Sequence, residues 1–499
     1  AYTLRDKHIV LSKKAKNSPP HSAQGGVTGV IKDDKGMPLV GATVLIKGTT
    51  TGAAADIDGN FSLPQAKPGD TLEISLIGYT KQELPVSGSA PLSVVMHEDN
   101  EVLDAVVVTA LGIKRSEKAL TYNVQEVAGD IVNTVKDANF MNSLSGKVAG
   151  LQINASASGV GGSTRVVMRG VKSISGNNNA LYVIDGIPMP DLRSSQTEGT
   201  YETPDGGDFE GINPEDIESM TVLSGATAAA LYGSQGANGV IVITTKKGEE
   251  GRVRVNYANN TTFSSPFVMP QFQNTYGTEA TAPSMSWGTK LSTPTSYDPS
   301  DFFQTGFEET NAISVSGGTR VNQSYFSAAS LNSRGIIPNN VYNRYNFTFR
   351  NTTQLIKDKL TLDLGASYMR QYKRNPLVQG LYHNPLIPVY LFPRGDDISR
   401  YEVYERYDAT AGYMKQFWPL EFITGVENPW WITNRELFEN TAHRYTFNAT
   451  LKWDIADWIT LTGRVRTDNM VMNYTRKIYA SSDKLFASEY GNYQNNKIH

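Results

Sequence analysis

Alternation of apolar and polar residues is the clearest pattern in this chain, and it dominates the half that follows residue 252. In segment 344–350, Tyr345, Phe347 and Phe349 alternate with arginine, asparagine and threonine. The same period of two recurs in segments 252–257, 360–368, 444–453 and 459–466. Successive side chains of a strand point to opposite faces, so this period predicts strands with one apolar face.

The connections between these strands are alternately long and short. Long ones span 264–311, 333–340 and 372–440, and short ones lie near 318–320, 357–358 and 454–457. A soluble sheet could bury the same apolar face, but short turns on one side and long loops on the other are typical of transmembrane β-barrels.

The number of predicted strands is too small to close such a barrel. We count seven candidate strands by residue 474, with 475–499 beginning another loop. An open sheet edge cannot lie in lipid. We therefore expect these residues to be the first part of a longer protein, with further strands beyond residue 499.

Residues 25–98 are a run of short strands separated by turn residues, a spacing that predicts a small β-sandwich. The predicted strands are Val27–Ile31, Ala42–Lys47, Gly59–Leu63, Thr71–Leu76 and Leu92–Met96. Asp56-Ile57-Asp58-Gly59-Asn60 begins like a calcium loop, but the sixth and twelfth positions hold Phe61 and Lys67 instead of Gly and Glu. We interpret it as a hairpin turn.

Residues 1–14 predict one strand pair, Tyr2-Thr3-Leu4 with His8–Leu11, and residues 15–24, with Pro19-Pro20, predict a linker. Two strands cannot stand alone in water, so the pair is either the last hairpin of a larger domain or a tail. Ala1–Arg5 has no basic segment followed by an apolar one, so no signal peptide is expected.

Composition excludes several classes of function. Lys and Arg (46) balance Asp and Glu (49), which gives no electrostatic reason to expect nucleic acid as a partner. Cysteine is absent and the six histidines are scattered, so we expect no metal, no cofactor and no catalytic site. No run of 18 apolar residues predicts a transmembrane helix.

Residues 101–112 form an apolar, β-branched run between two predicted domains. The run could be the first strand of the next domain. It also suits strand addition by a partner protein, in which backbone hydrogen bonds give affinity and alternate side chains fix the register.

Several motifs, in order, resemble those of SusC-like TonB-dependent outer-membrane transporters. Residues 25–98 resemble a carboxypeptidase regulatory-like domain at Gly29–Ile31, Pro38–Val44, Asp58–Phe61 and Gly78-Tyr79. Leu103–Gly112 resembles the TonB box. Residues 115–247 resemble the plug domain at Leu144–Leu151, Arg169-Gly170, Leu181–Pro188, Ile212–Glu218, Gly225–Gly233 and Gly236–Lys247. Within this segment, Phe140–Ala149 predicts a helix ended by Gly150.

The resemblance implies a mainly β protein: a small β-sandwich, an α+β plug, and residues 252–499 as the start of an antiparallel transmembrane β-barrel of about 22 strands. It implies TonB-driven import of an oligosaccharide or peptide across the outer membrane of a Gram-negative bacterium. The N-terminal modules would lie in the periplasm, the barrel in outer-membrane lipid, and a SusD-like lipoprotein would be a partner. The residues expected to contact TonB are Asp104, Ala105, Val106, Val107, Val108, Thr109 and Ala110.

Six residues are candidates for substrate contact: Asn177, Asn178, Asn179, Trp418, Trp430 and Trp431. The three asparagines lie in a plug loop and could hydrogen-bond a polar solute, or form a solvated turn. The tryptophans lie in the aromatic loop 372–440, where we favour packing of the loop on itself or docking of a partner over direct ligand contact. Arg165 and Arg169 are expected to anchor the plug to the barrel.

Two alternative functions stay open from the sequence. Residues 1–14 resemble the end of a secretin/TonB N-terminal signalling domain, which would make the protein a receptor that also signals to an anti-sigma factor. An adhesin or lectin built of β-sandwiches would explain residues 25–98 but not the plug motifs.

Overall fold

The structure is a computed structural model that describes residues 2–5, 8–11, 26–34, 36–49, 51–76, 79–88, 91–97, 106–108, 114–116, 124–133, 139–154, 159–162, 164–174, 178–189, 212–223, 225–279, 281–282, 286–295, 297–378, 380–420, 423 and 425–498. It divides into two compact units, residues 1–106 and 107–499.

The first unit contains a strand pair and a β-sandwich. Strands β1 (Tyr2–Arg5) and β2 (His8–Leu11) pair antiparallel, as predicted. The sandwich strands are β3 (Val27–Asp33), β4 (Thr43–Ile46), β5 (Gly52–Ala54), β6 (Asn60–Leu63), β7 (Thr71–Ser75), β8 (Gln82–Pro85) and β9 (Leu92–Met96). They form two sheets, ordered β6-β3-β9 and β5-β4-β7-β8. Alternate residues of both sheets fill the core, among them Ile31, Val44, Phe61, Leu72 and Ile74.

The segment Asp56–Asn60 is a turn, as predicted, but not a hairpin, because it joins β5 to β6 and these strands lie in different sheets. The Asp56 Oδ1 atom accepts hydrogen bonds from the backbone N–H groups of Asp58 (3.0 Å) and Asn60 (2.8 Å). These hydrogen bonds hold the pKa of Asp56 below its usual value. The carboxylate therefore stabilises its own turn, the usual role of aspartate at such positions.

The second unit begins with residues that we call the plug region (114–247). Its elements, with the strand that precedes it, are β10 (Val106–Val108), β11 (Lys114–Ser116), β12 (Gln125–Ala128), α1 (Gly129–Asn133), a 3-10 helix (Phe140–Leu144), β13 (Leu151–Asn154), β14 (Arg165–Met168), β15 (Leu181–Ile184), β16 (Ile187–Pro188), a 3-10 helix (Pro214–Asp216), β17 (Ile217–Leu223), α2 (Ala226–Tyr232), a 3-10 helix (Gly233–Gly236) and β18 (Val240–Thr245). The central sheet has the order β12-β17-β18-β15-β16, with β15 and β18 parallel.

The helix predicted over Phe140–Ala149 is wrong in length. Only Phe140–Leu144 is helical, and as a 3-10 helix capped by the Asn139 side chain. Turns follow, with a positive φ of 75° at Gly146. A glycine that adopts this left-handed conformation ends the helix one turn after it begins.

The rest of the unit is an eight-stranded antiparallel sheet, here called the wall, with the order β19-β20-β21-β22-β23-β26-β27-β28. The elements in chain order are β19 (Gly251–Ser264), a 3-10 helix (Pro299–Phe302), β20 (Gly306–Gly318), β21 (Asn322–Arg334), β22 (Val341–Ile356), β23 (Leu360–Arg374), α3 (Leu386–Leu391), a 3-10 helix (Ile398–Tyr401), β24 (Glu405–Asp408), β25 (Tyr413–Gln416), α4 (Pro429–Arg435), β26 (Glu436–Ala456), β27 (Ile459–Ile478) and β28 (Asn492–Ile498).

The predicted alternation of short and long connections is confirmed. Three connections are short, 319–321, 357–359 and 457–458, and four are longer, 265–305, 335–340, 375–435 and 479–491. The expectation that 475–499 only begins a loop is wrong. Strand β27 continues to Ile478, and β28 pairs with it from Ile478↔Asn492 to Met472↔Ile498.

The two faces of the wall differ in chemistry, as the alternation predicted. On β22, Phe347 and Phe349 are exposed on one face, whereas Asn346 and Arg350 are buried on the other, against the plug region. Among the described residues, no helix is long and apolar enough to cross a membrane.

Candidate functional site

The first contact between the plug region and the wall is a buried carboxylate. Asp216 ends the 3-10 helix that Pro214 begins and the Asn213 side chain caps. Its Oδ1 accepts a hydrogen bond from the Tyr325 hydroxyl (2.9 Å), and its Oδ2 accepts one from the Thr348 hydroxyl (2.8 Å). Burial raises the pKa of Asp216, and the hydrogen bonds from wall hydroxyls oppose that rise. The carboxyl group fastens the loop before β17 to strands β21 and β22.

The second contact is a buried ion network centred on Arg350 of β22. Its Nε and Nη2 donate to both oxygens of Asp363 on β23 (2.9 and 3.0 Å). Its Nη1 donates to Asp185 Oδ2 (3.2 Å) and to Thr245 Oγ1 (2.6 Å) in the plug region. Lys247 Nζ lies 2.9 Å from Asp363 Oδ2, so two cations balance two anions. A planar guanidinium with several donors suits a bridge of this kind.

Hydrogen bonds within the plug region fix the Asp185 carboxylate in the position where it meets Arg350. Asp185 lies in the turn between β15 and β16 with a positive φ of 49°. Its Oδ1 accepts from the Thr245 N–H (3.0 Å), and its Oδ2 accepts from the Thr245 hydroxyl (2.7 Å). Because these bonds are made within the plug region, the carboxylate does not have to reorganise when it meets Arg350.

The third contact joins a tight plug turn to β22 and β23. Lys373 Nζ donates to the Gly161 carbonyl (2.5 Å). Gly161 has φ +76°, and a Cβ there would lie 2.2 Å from the Tyr342 ring. Only glycine allows the backbone to approach so closely.

A polar cleft lies between the plug region and the wall, beside the first two contacts. Its volume is about 90 Å³. Its lining includes Asp185, Asp216, Arg350, Arg444 and Arg466. Two carboxylates and three arginines are among the lining residues, so charged groups of both signs lie together at this interface.

Arg165 and Arg169, which we expected to anchor the plug, are both exposed. The plug–wall contacts described above are made instead by Asp185, Asp216 and Gly161 of the plug region. The sequence held part of this signal, because Asp185 and Asp216 lie within the motifs Leu181–Pro188 and Ile212–Glu218.

The residues predicted to contact TonB are only partly described. Val106–Val108 form β10, which pairs with β11. Asp104, Ala105, Thr109 and Ala110 lie outside the described residues. Contact with TonB stays a prediction for all seven.

Of the three asparagines predicted to contact substrate, Asn177 lies outside the described residues. Asn178 is buried: its Oδ1 accepts from the N–H groups of Lys172 (2.8 Å) and Ser173 (2.9 Å), and its Nδ2 donates to Ser173 O (2.7 Å). Asn179 forms an isolated bridge with Val167. Asn178 therefore stabilises its own loop, which favours the structural alternative at this position.

Two of the three tryptophans in the loop 375–435 are buried. Trp418 is 3% exposed and Trp431 is 1% exposed. Trp430 is partly buried and lies edge-on to Phe302, with ring centroids 5.4 Å apart. Trp418 belongs to, and Trp430 packs against, a core of Tyr297, Phe392, Ile398, Tyr401, Trp418, Leu420 and Val426, of which Tyr297 comes from the loop 265–305. The loop packs on itself, and ligand contact by Trp418 and Trp431 stays a prediction that this burial disfavours.

A buried polar group lies where this loop meets the wall. Arg476 Nη2 lies 2.8 Å from His383 Nε2, and Glu436 Oε2 lies 2.8 Å from His383 Nδ1. Because arginine can only donate, Nε2 accepts and Nδ1 carries the proton, so His383 is neutral. Burial, with Arg476 nearby, lowers the pKa of His383 to about 4. Glu427 completes the group, and its Oε1 accepts from Gln416 Nε2 (3.2 Å) and Asp483 N (2.9 Å).

Glu427 makes the stability of this loop dependent on pH. Burial raises the pKa of Glu427 well above its usual value, and neighbouring Glu436 raises it further. The stabilisation that Glu427 gives to the folded loop is therefore complete below the ordinary carboxyl pKa. As the pH rises towards the folded-state pKa, this stabilisation falls by about 1.4 kcal/mol per pH unit. His383 acts in the opposite direction: its contribution is full above about pH 6.5 and is lost as the pH falls towards about 4.

We expect Glu427→Gln to remove the loss of loop stability at high pH, because glutamine does not ionise and keeps the acceptor oxygen. At pH 5 the variant should match the wild type, and at pH 8.5 its loop should be more protected. Hydrogen exchange of residues 425–435 in the full-length protein at both pH values measures this. His383 is common to both proteins, so their difference reports Glu427 together with its effect on neighbouring Glu436. Equal protection at pH 8.5 would show that Glu427 carries no buried charge there.

Comparisons with known proteins agree with this geometry. A CarboxypepD_reg-like domain matches residues 27–108, and a TonB-dependent Receptor Plug Domain matches residues 116–240. TonB-dependent receptor SusC of Bacteroides thetaiotaomicron is 33% identical over 417 residues, 81% of this chain and 39% of that protein. TonB-dependent receptor P26 of Formosa agariphila is 30% identical over 366 residues, 70% of this chain and 35% of that protein.

A solved structure shares the fold. The RagAB peptide importer in its open-open state matches with a TM-score of 0.56 and 18% identity, covering 76% of this chain and 44% of that chain. The chain spans about two fifths of the length of the curated relatives it matches. From the two domain models, the SusC relative and the plug docked on a wall of strands, we conclude that the chain belongs to the SusC-like TonB-dependent receptors.

Proposed function

We propose that the protein to which this chain belongs imports a large nutrient, an oligosaccharide or a peptide, across the outer membrane of a Gram-negative bacterium. The observation that carries the proposal is the plug fixed to the polar face of the wall by Asp216 and Arg350, while the opposite face exposes apolar side chains such as Phe347 and Phe349. An apolar outer face suits lipid, and a polar, plugged inner face suits a closed passage for a hydrated solute.

The contacts also explain why import would need energy. Buried ion pairs and hydrogen bonds hold the plug, and breaking a buried pair costs about 3–5 kcal/mol. In this proposal TonB supplies the force by pairing with residues 104–110, of which Val106–Val108 are already extended as a strand. The chain makes and breaks no covalent bond. The resemblance to SusC-like transporters supports a SusD-like lipoprotein as partner and a periplasmic position for residues 1–98.

Uptake by cells that carry the full-length protein tests this proposal. We expect deletion of residues 104–110 to abolish uptake of the substrate while the amount of protein in the outer membrane is unchanged, because this segment is the proposed attachment point of TonB. Deletion of residues 16–22, in the predicted linker, is the matched control and should leave uptake largely intact. Uptake that survives the first deletion would contradict TonB-driven import.

A further inference from the structure

The loop 265–305 carries an exposed pair of aromatic rings, in a different part of the chain from the plug contacts. Tyr276 and Trp287 are 39% and 75% exposed, and their ring centroids are 6.0 Å apart at an interplanar angle of 34°. They lie on two backbone segments that run antiparallel, joined by hydrogen bonds from Leu291 N to Thr275 O (2.8 Å) and from Gly277 N to Thr289 O (2.9 Å). We call Tyr276 and Trp287 the ring pair.

The Gln273 side chain fixes the backbone next to both rings. Gln273 Oε1 accepts from the N–H groups of Thr275 (3.0 Å) and Tyr276 (2.8 Å). Gln273 Nε2 donates to Tyr276 O (2.8 Å) and to Ser286 O (2.6 Å), next to Trp287. All four hydrogen-bonding positions of the amide are used, and together they tie the two ring-bearing segments to each other.

The segment that carries Trp287 is also hydrogen-bonded to the loop 375–435. The backbone N–H of Arg394, in the loop 375–435, donates to Ser286 Oγ (3.2 Å). The Arg394 guanidinium is buried and lies 4.3 Å from the centre of the Phe272 ring and 5.3 Å from that of Tyr297. These contacts fix the backbone that carries the two rings before any ligand arrives, which lowers the ordering cost of binding.

The surroundings of the ring pair indicate the ligand. Two charged side chains lie on the segments that carry the rings: Glu279, which occupies the space beside Gly288, and Lys290, whose backbone forms a β-bridge with that of Tyr276. The central aromatic of a protein interface is instead ringed by groups that exclude water. A sugar ring has one face of C–H groups, which would lie on the aromatic faces, and an edge of hydroxyls, which the carboxylate and ammonium can hydrogen-bond.

We propose that Tyr276 and Trp287 form a saccharide-binding subsite, with Gln273 as its positioning residue. The inference rests on the proposed function and selects the oligosaccharide from its two substrate classes. The subsite lies on the side of the wall that carries the long connections, so it would hold an oligosaccharide before the plug moves.

Binding to the purified full-length protein tests the subsite without any need for TonB. The probes are malto-, cello-, xylo- and fructo-oligosaccharides of about seven units, and a tryptic peptide mixture, each measured by calorimetry. We expect at least one oligosaccharide to bind, Trp287→Ala to weaken its affinity by about tenfold or more, and Tyr276→Phe to retain it. Gln273→Leu keeps both rings and should cause an intermediate loss.

Trp458→Ala, at an exposed tryptophan in the short turn between β26 and β27, is the control and should bind as the wild type does. The proposal is overturned if no oligosaccharide binds, if Trp287→Ala binds within twofold of the wild type, or if the variant loses only peptide binding. Deletion of residues 104–110 should leave this binding unchanged, so failure of TonB-driven import and failure of the subsite are read separately.

Discussion

Arg350→Ala should loosen the plug by about 3–5 kcal/mol, because it leaves Asp185 and Asp363 as buried carboxylates without their arginine. Hydrogen exchange of β18 (Val240–Thr245), measured on the full-length protein, should then be roughly 10²- to 10⁴-fold faster. Strand β18 is the reporter because Thr245 itself contacts Arg350.

A matched control is Arg320→Ala. Arg320 pairs with Asp358 at 3.1 Å, but both side chains are more than half exposed, so we expect a change of about 1 kcal/mol or less. The double variant Arg350→Met with Asp363→Leu removes two buried opposite charges together and should lose less than Arg350→Ala. If β18 exchanges at the wild-type rate in Arg350→Ala, this network does not hold the plug.

The second large effect is expected at Trp431. It is among the largest fully buried side chains, and its Nε1 donates to Ser482 Oγ (2.8 Å), which joins the loop 375–435 to the loop 479–491. Trp431→Ala should destabilise the two loops by about 3–5 kcal/mol through the cavity that it leaves. Limited proteolysis of the folded protein should show new cleavage in both loops.

Two further variants separate volume from hydrogen bonding. Trp431→Phe keeps most of the ring and loses one hydrogen bond, so its effect should be about 1 kcal/mol. Trp458→Ala, at a tryptophan that is 85% exposed, should leave the protease pattern unchanged. Resistance of Trp431→Ala equal to that of the wild type would mean that the two loops are held together elsewhere.

The wall could be predicted because its signal is local. On β22, Phe347 and Phe349 face outwards while Arg350 faces the plug, and neighbouring residues are enough to reveal that alternation. Strand β28 lacks the signal. Its two large apolar residues, Tyr493 and Ile498, are five positions apart and so lie on opposite faces, which leaves no apolar side to recognise.

The plug contacts could not be predicted because their partners are distant in the chain. Asp185 and Arg350 are 165 residues apart, and Asp216 and Thr348 are 132 apart. A polar residue that faces a plugged interior also occupies the same place in the alternation as one that faces water. The sequence therefore directed attention to Arg165 and Arg169, which are exposed, instead of Arg350, which is buried.

The aromatic loop was only half predictable. Its composition favoured packing of the loop on itself or docking of a partner over direct ligand contact, and Trp418 and Trp431 are buried. Which aromatic residues stay outside depends on the folded path of the chain. The ring pair lies in a neighbouring loop, and its geometry depends on the Gln273 side chain, which carries no recognisable motif.

The ion network has a consequence for how such receptors can be recombined. Its charges are divided between a plug turn (Asp185), the plug-to-wall connection (Lys247) and two neighbouring strands (Arg350 and Asp363). A plug grafted alone into a wall that has no arginine at this position would leave Asp185 without its partner. The smallest unit that can be exchanged intact therefore runs from the plug through β23, and chimaeras joined after residue 374 should assemble where those joined at residue 250 fail.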